Sequence, residues 1–273
     1  MRVLLFVKDS QRAKEVSQKV AQLMRSYSID PEVFVNERSK REKPTLKDTD
    51  LLVVVGGDGT FLAGARLASK EGVPLLGINV GRFGFLTEVE LEEAEEVFKL
   101  LLESRIEPQK RMMLSAFLLR GSEELYLGDY LNDVVVSKES LARMVEVEIE
   151  LQGERVLRVY GDGVIVSTPT GSTAYALSAG GPILYPLMEA LLFVPICPHT
   201  LSNRPLVVPP NFEIRLVNLS EDHMAYLTLD GQEGMSLRRG DTVIVKKSKH
   251  SCLMYPNPNR SFFSILKEKL RWG

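Results

Sequence analysis

Apolar residues follow two rhythms along this chain. Up to about residue 108, short unbroken apolar runs alternate with stretches of helical period. Arg2–Val7, Glu32–Val35, Leu51–Val55 and Pro74–Val80 read as strands, the longer ones with no polar alternation, as expected of parallel strands covered on both faces. Between them, Asp9 or Ser10 caps a predicted helix running to about Ser26, with Val16, Val20, Leu23 and Met24 on one face. Thr60 is placed to cap a second helix from Phe61 to about Lys70, and Leu91–Leu102 forms a third with Ala94, Val97, Phe98, Leu101 and Leu102 inward. Strand–helix alternation of this kind predicts an open, Rossmann-like α/β domain over residues 1–108.

Near Glu107-Pro108-Gln109 the period changes to two. Val145-Glu146-Val147-Glu148-Ile149-Glu150-Leu151 alternates fully, which predicts an antiparallel strand with its acidic residues outward. Further strands are expected at Met113–Leu119, Tyr130–Ser137, Arg155–Tyr160, Val164–Ser167, Pro205–Val208, Phe212–Val217, Tyr226–Leu229 and Thr242–Lys246. Residues 109–258 therefore read as a β-rich domain. A last helix, Ser261–Arg271 within residues 259–273, carries Phe262, Ile265, Leu266 and Leu270 at helical spacing and is expected to pack back on the first domain.

A chain of 273 residues has ample core for such an arrangement. Its net charge of −2 supplies no basic field for nucleic acid. No apolar run reaches membrane-spanning length, and Lys8-Asp9 interrupts the opening apolar stretch too early for a signal peptide, so a cytoplasmic protein without membrane contact is expected. Cys197 and Cys252 offer neither a disulfide framework nor zinc spacing and read as reduced core residues. His199, His223 and His250 stand far apart, so no metal site is assigned to them.

Chemistry concentrates at the end of the third strand, in Gly56-Gly57-Asp58-Gly59-Thr60. Glycines there let backbone N–H groups face an anion and a ligand come close, and the following helix would point its positive end at the same place. A dinucleotide fingerprint fails because Leu62 stands where the third glycine belongs, and a P-loop fails for want of its lysine. A plain strand–helix turn with a capping aspartate would need fewer glycines; the surplus favours phosphate binding. Asp58, the one ionisable side chain of the turn, repels phosphate and suits a metal, a ribose hydroxyl or general-base work. The loop Asn79-Val80-Gly81-Arg82-Phe83-Gly84-Phe85-Leu86-Thr87 reads as a pocket wall, an interdomain crossing or a stapled loop.

A second dense stretch runs from Gly161 to Pro182 and includes Asp162-Gly163, then Ser167-Thr168-Pro169-Thr170-Gly171-Ser172-Thr173-Ala174-Tyr175. Small residues and hydroxyls suit close approach of a sugar or nucleotide, or a Ser/Thr-capped turn.

The two stretches together resemble the NAD kinase family. The glycine turn is shared with lipid and sugar kinases, whereas the Asp162–Tyr175 run is particular to NAD kinases; Asn132-Asp133, His199–Leu206 and Asp230-Gly231-Gln232 match in order, with Asp133 standing where many members carry glutamate. The resemblance implies transfer of the γ-phosphoryl of ATP, or of polyphosphate, to the 2′-hydroxyl of the adenosine ribose of NAD. It implies an α/β domain followed by a β-sandwich, a divalent metal (Mg²⁺ expected) and a homo-oligomer, dimer or tetramer. Asp58 would be the base, with Gly56, Gly57, Gly59 and Thr60 around the phosphates. Asn132, Asp133, Arg143, Asp162, Thr170, Thr173, Ala174, Tyr175, Ala176, Leu177, Ser178 and Gln232 would hold NAD, Asp162 toward the nicotinamide end. Asp58→Asn is expected to abolish turnover and leave the fold intact. Two other readings are a diacylglycerol-type lipid kinase, which shares the glycine turn, and a non-catalytic dinucleotide sensor; phosphorylated lipid, or NAD binding without ATP consumption, would mark them.

Overall fold

The computed structural model describes the chain apart from residues 38–42, 82–83, 140–143, 201, 222–223 and 272–273. It divides into two compact units, Met1–Lys110 with Cys252–Gly273, and Arg111–Ser251.

The first unit opens with β1 (Val3–Lys8), α1 (Gln11–Ser26), β2 (Glu32–Asn36), β3 (Leu51–Gly56), α2 (Asp58–Glu71), β4 (Leu75–Asn79) and, after a 3₁₀ turn at Leu91–Glu93, α3 (Ala94–Leu102). Ser10 caps α1, its hydroxyl accepting from Ala13 N–H. The strands lie parallel in the order β2-β1-β3-β4. The chain leaves β1 toward one edge and β3 toward the other, so the gap beyond the carboxyl ends of β1 and β3 is the switch point where such sheets bind ligands. Every residue of β3 is buried. One side of the sheet packs Leu5, Val53 and Ile78 against Val20 and Met24 of α1 and Val97 and Phe98 of α3.

The second unit contains β5 (Gln109–Arg120), β6 (Glu123–Tyr130), β7 (Asp133–Lys138), β8 (Val145–Leu151), β9 (Glu154–Gly161), β10 (Gly163–Ser167), the one-turn helix α4 (Tyr175–Ser178), β11 (Leu191–Ile196), β12 (Leu206–Val208), β13 (Ile214–Asn218), β14 (Ala225–Leu229), β15 (Glu233–Leu237) and most of β16 (Thr242–Met254). One antiparallel layer runs β16-β13-β8-β9, with β5 against β16 and β6. The other runs β12-β11-β10-β7-β14-β15. Val147, Ile149 and Leu216 of the first layer and Val134, Val166 and Leu227 of the second share one apolar core.

The last residues of β16 belong to the first unit, where Met254 pairs with Leu75, and α5 (Phe262–Leu270) ends the chain with Ile265 and Leu266 buried. Asn257 anchors this return: its side-chain amide donates to the Glu88 carbonyl at 3.0 Å and to Glu93 at 2.9 Å. Arg260 adds a bond to Glu93.

Several expectations need correction. The second helix starts at Asp58, inside the glycine turn, with Gly57 as N-cap, so Thr60 is already helical and caps nothing. The run expected as one strand over Tyr130–Ser137 is broken at Leu131-Asn132. Strands β6, β11 and β15 were not expected, and β16 continues eight residues past Lys246, to Met254. Glu148 does not face open solvent; it is buried beneath Arg155 and Arg158 of β9, which bridge to it at 3.2 and 3.3 Å. Cys252 is buried as expected, but Cys197 is exposed, at the left-handed φ of 44°. Phe263 and Leu270 of α5 are exposed.

Candidate active site

Asp58 stands at the carboxyl end of β3, on the first turn of α2. Its carboxylate is held by a segment nearly thirty residues downstream. Oδ2 accepts from Phe85 N–H at 2.8 Å; Oδ1 accepts from Leu86 N–H, Thr87 N–H and the Thr87 hydroxyl at 3.0, 3.1 and 3.2 Å. Gly84 makes this approach possible, since a Cβ there would fall on Asp58 Oδ1. The loop after β4 is thus a wall around the aspartate; Arg82 and Phe83 of that loop lie outside the described residues.

The glycines of the turn differ in purpose. A Cβ on Gly56 would strike the Thr60 side chain at 2.6 Å, so this position serves internal packing. A Cβ on Gly57 would meet nothing within 4 Å. Open space beside Gly57 and the amino end of a 14-residue helix together form a place where an anion is favoured.

In the second unit, a cleft of about 410 Å³ is lined by Asn132, Asp133, Val135, Ser137, Ala174, Tyr175, Thr228, Asp230 and Gly231. The Leu131–Asp133 turn at its edge is gripped from two sides. Asp230 takes its N–H groups, Asn132 and Asp133 on Oδ1 at 2.8 and 3.2 Å and Leu131 on Oδ2 at 3.2 Å. The hydroxyl-rich run takes its carbonyls: Ser167 donates to Asn132 O at 3.0 Å and Thr168 to Leu131 O at 2.5 Å. Gly171 closes in so tightly that a Cβ would fall on the Asn132 carbonyl. Ser172 likewise spends its hydroxyl on Pro169 O and accepts Leu184 N–H. Much of this run is therefore scaffold, and its hydroxyls satisfy buried backbone groups.

Of the residues expected to hold NAD, Asn132, Asp133, Ala174 and Tyr175 line this cleft, with Tyr175 45 % exposed and free to stack on a ring. Ala176 does not; it is fully buried in a core cluster with Val135 and Ile165. Thr173, Leu177, Ser178 and Gln232 are not among the lining residues, and Thr173 donates back to Thr170 O. Thr170 is buried, and its hydroxyl oxygen has no hydrogen-bond partner among the described residues. Asp162 Oδ1 forms an ion pair with Lys138 at 2.7 Å, and its side chain is about one third exposed. Arg143 and His223 lie outside the described residues. His199 meets the Tyr160 ring edge-on at 6.4 Å.

Asp230 and Lys138 are what sequence reasoning missed. The family resemblance points to Gln232 of the Asp-Gly-Gln turn, whereas Asp230 of the same turn lines the cleft. Asp230 sits at a left-handed φ of 49°, a conformation aspartate tolerates better than most side chains, and the Asp230-Gly231 turn dipeptide is the local signal for it in the sequence.

Burial, and then the neighbouring Asp230 carboxylate, push the Asp133 carboxyl from its ordinary 3.8 up to about 7. The fold holds the protonated form. That contribution to stability is full below the unfolded carboxyl range and is lost as the pH rises through 7. Asp133→Asn, which cannot ionise, should flatten the loss. Between about pH 5 and about pH 8 the ligand-free wild type should lose more melting temperature than the variant, and equal slopes would remove Asp133 as the source.

Among the described residues no three His, Cys, Asp or Glu side chains gather as a metal cage. No described helix is long and apolar enough to cross a membrane.

Residues 2–106 match the family model of the ATP-NAD kinase N-terminal domain, and residues 131–256 that of the ATP-NAD kinase C-terminal domain. The NAD kinase of Aquifex aeolicus is 54 % identical over 272 residues, covering 100 % of this chain and 99 % of the relative. That of Heliobacterium modesticaldum is 42 % identical, covering 97 % and 96 %. Among solved structures, yeast NADH kinase in complex with NADH superposes with a TM-score of 0.89 at 26 % identity, covering 100 % of this chain and 88 % of the other. The Archaeoglobus fulgidus NAD kinase in complex with ATP gives 0.80 at 28 % identity, covering 99 % of both chains. With both domain models matched and a full-length relative more than half identical, the chain belongs to the NAD kinase family and phosphorylates NAD to NADP with ATP.

Proposed function

We propose that Asp58 is the general base of this phosphorylation and that the cleft edged by Asn132, Asp133 and Tyr175 holds the dinucleotide. The observation that carries the first assignment is the unequal use of the carboxylate. Oδ1 receives three hydrogen bonds and Oδ2 only one, which leaves Oδ2 acceptor capacity for a substrate hydroxyl. A ribose hydroxyl is a weak nucleophile, and phosphoryl transfer depends on alignment and charge neutralisation. Asp58 Oδ2 takes the proton of the 2′-hydroxyl as its oxygen bonds to the γ-phosphorus. The bond from that phosphorus to the β–γ bridging oxygen breaks, ADP leaves, and the carboxyl group returns its proton to solvent. The amino end of α2 and the open side of Gly57 favour the phosphates.

In the cleft, Tyr175 offers a ring face, Asn132 an amide for a base or sugar edge, and Asp133 a carboxyl that can donate or accept near neutral pH. The reaction of the family needs a divalent metal. Among the described residues no three His, Cys, Asp or Glu side chains gather as a ready cage for it. Mg²⁺ entering on the donor phosphates is the reading consistent with that. A homo-oligomer and a cytoplasmic location complete the proposal.

Purified protein with NAD, ATP and Mg²⁺ should yield NADP, detected by a dehydrogenase that uses only NADP. NAD-stabilised melting with no NADP from ATP, other nucleotides or polyphosphate would favour a sensor and defeat the proposal.

A further inference from the structure

Behind Asp58 lies a hydrogen-bond relay that takes no part in the proton transfer itself. The Thr87 hydroxyl donates to Asp58 Oδ1 at 3.2 Å, and the Asn79 side-chain amide donates to the Thr87 hydroxyl oxygen at 2.9 Å. Thr87 is fully buried and Asn79 is 8 % exposed. The direction of this relay follows from its end. An ionised carboxylate only accepts, so the Thr87 proton must point at Asp58, and the Thr87 oxygen then needs a donor, which the Asn79 amide supplies. Asn79 ends β4, and its own N–H is bonded to Val89 O at 2.7 Å, so the relay starts from the sheet.

Leu86 N–H and Thr87 N–H already satisfy Oδ1. The hydroxyl therefore adds little that burial requires, but it does constrain rotation. Rotation of an aspartate about χ2 is broad, and a third donor on one oxygen narrows it, presenting the other oxygen in a set direction. We infer that Thr87, oriented by Asn79, is a positioning residue that fixes which oxygen of Asp58 faces the 2′-hydroxyl and at what angle. The inference rests on the reading of Asp58 as base. A small misplacement of a reacting group costs about 10- to 100-fold in rate, and the loss falls on turnover because ground-state contacts are untouched.

Thr87→Val keeps the shape and removes the hydroxyl. It should lower kcat about 10- to 100-fold with KM for NAD and for ATP within about two-fold of wild type. Thr87→Ser should restore kcat to within about three-fold, since it returns the donor. Asn79→Asp is nearly isosteric but turns the amide donor into an acceptor that draws the Thr87 proton away; it should lower kcat by about ten-fold or more. This variant and Thr87→Ser keep the test open if Thr87→Val does not fold. Wild-type kcat in Thr87→Val and Asn79→Asp overturns the inference, as does a loss that Thr87→Ser fails to restore and that raises both KM values. Asp58→Asn measured alongside separates the two claims. If it is inactive while the Thr87 and Asn79 variants are normal, only the positioning role fails. If it turns over normally, the base assignment fails and the positioning role with it.

Discussion

Asp58→Asn should lower kcat by about three orders of magnitude or more, in the range that loss of a general base costs. It should also lower stability somewhat while leaving the fold intact. The carboxylate is an acceptor for four donors. An asparagine can keep its oxygen toward Leu86 N–H, Thr87 N–H and the Thr87 hydroxyl, but its NH₂ then faces Phe85 N–H, donor against donor. Leaving one partly buried N–H without its acceptor costs on the order of 1–3 kcal/mol, and for a chain of this size that is several degrees of melting temperature. Both quantities should be measured on the same preparation. A loss of that size leaves the protein folded at 25 °C, so a rate measured well below the transition reports chemistry. Retention of more than about a tenth of kcat would remove Asp58 as base. An unchanged melting temperature would mean that the Phe85 N–H bond to Oδ2 contributes nothing net to the fold.

The second large effect belongs to Asp230→Ala. Three backbone donors lose their acceptor at once, those of Leu131 and Asp133, which are buried, and of Asn132, which is partly buried. The left-handed φ of 49° at this position adds a smaller penalty for alanine. Relief of the charge on Asp133 works the other way, because the Asp230 carboxylate is one of the two causes that raise the Asp133 carboxyl. The three unmet donors dominate, and a net loss of about 3 kcal/mol is expected. Since Asn132 and Asp133 line the cleft, KM for NAD should rise about 10- to 100-fold while KM for ATP stays within about two-fold. Asp230→Asn keeps one acceptor and the tolerance for positive φ, and should fall between wild type and alanine. Wild-type KM for NAD in the alanine variant would mean that the turn sets itself without Asp230.

Most of the fold was legible because hydrophobic period reports which faces are covered. β3 and β8 announce themselves as an unbroken apolar run and a strict alternation. The three missed strands each break that signal. β6 opens with Glu123-Glu124 and stays largely exposed over its first half; β11 is fully buried but contains Pro195; β15 contains Gly234. The start of α2 is hidden in the sequence for a related reason. Glycine normally interrupts a helix, yet Gly59 lies within this one, whose first turn is tied down by the bonds of Asp58 to Phe85, Leu86 and Thr87.

Taken alone, the sequence determined the α/β unit followed by a β-rich one, the strand–turn–helix carrying Asp58, and the family, because each of these is written in contiguous residues. It could not determine what each polar group is bonded to. Asp58 is satisfied by donors 27 to 29 residues away, and Asp230 by donors 97 to 99 residues away. It also marked Ser167, Thr168 and Ser172 only as hydroxyls, whereas the structure spends them on buried carbonyls and leaves the Thr170 hydroxyl without a partner among the described residues. The physical reason is that a buried donor or acceptor must find a partner, but hydrogen bonding places no constraint on how far along the chain that partner lies. Local pattern sets which faces are buried; only the packed structure decides which polar groups meet there.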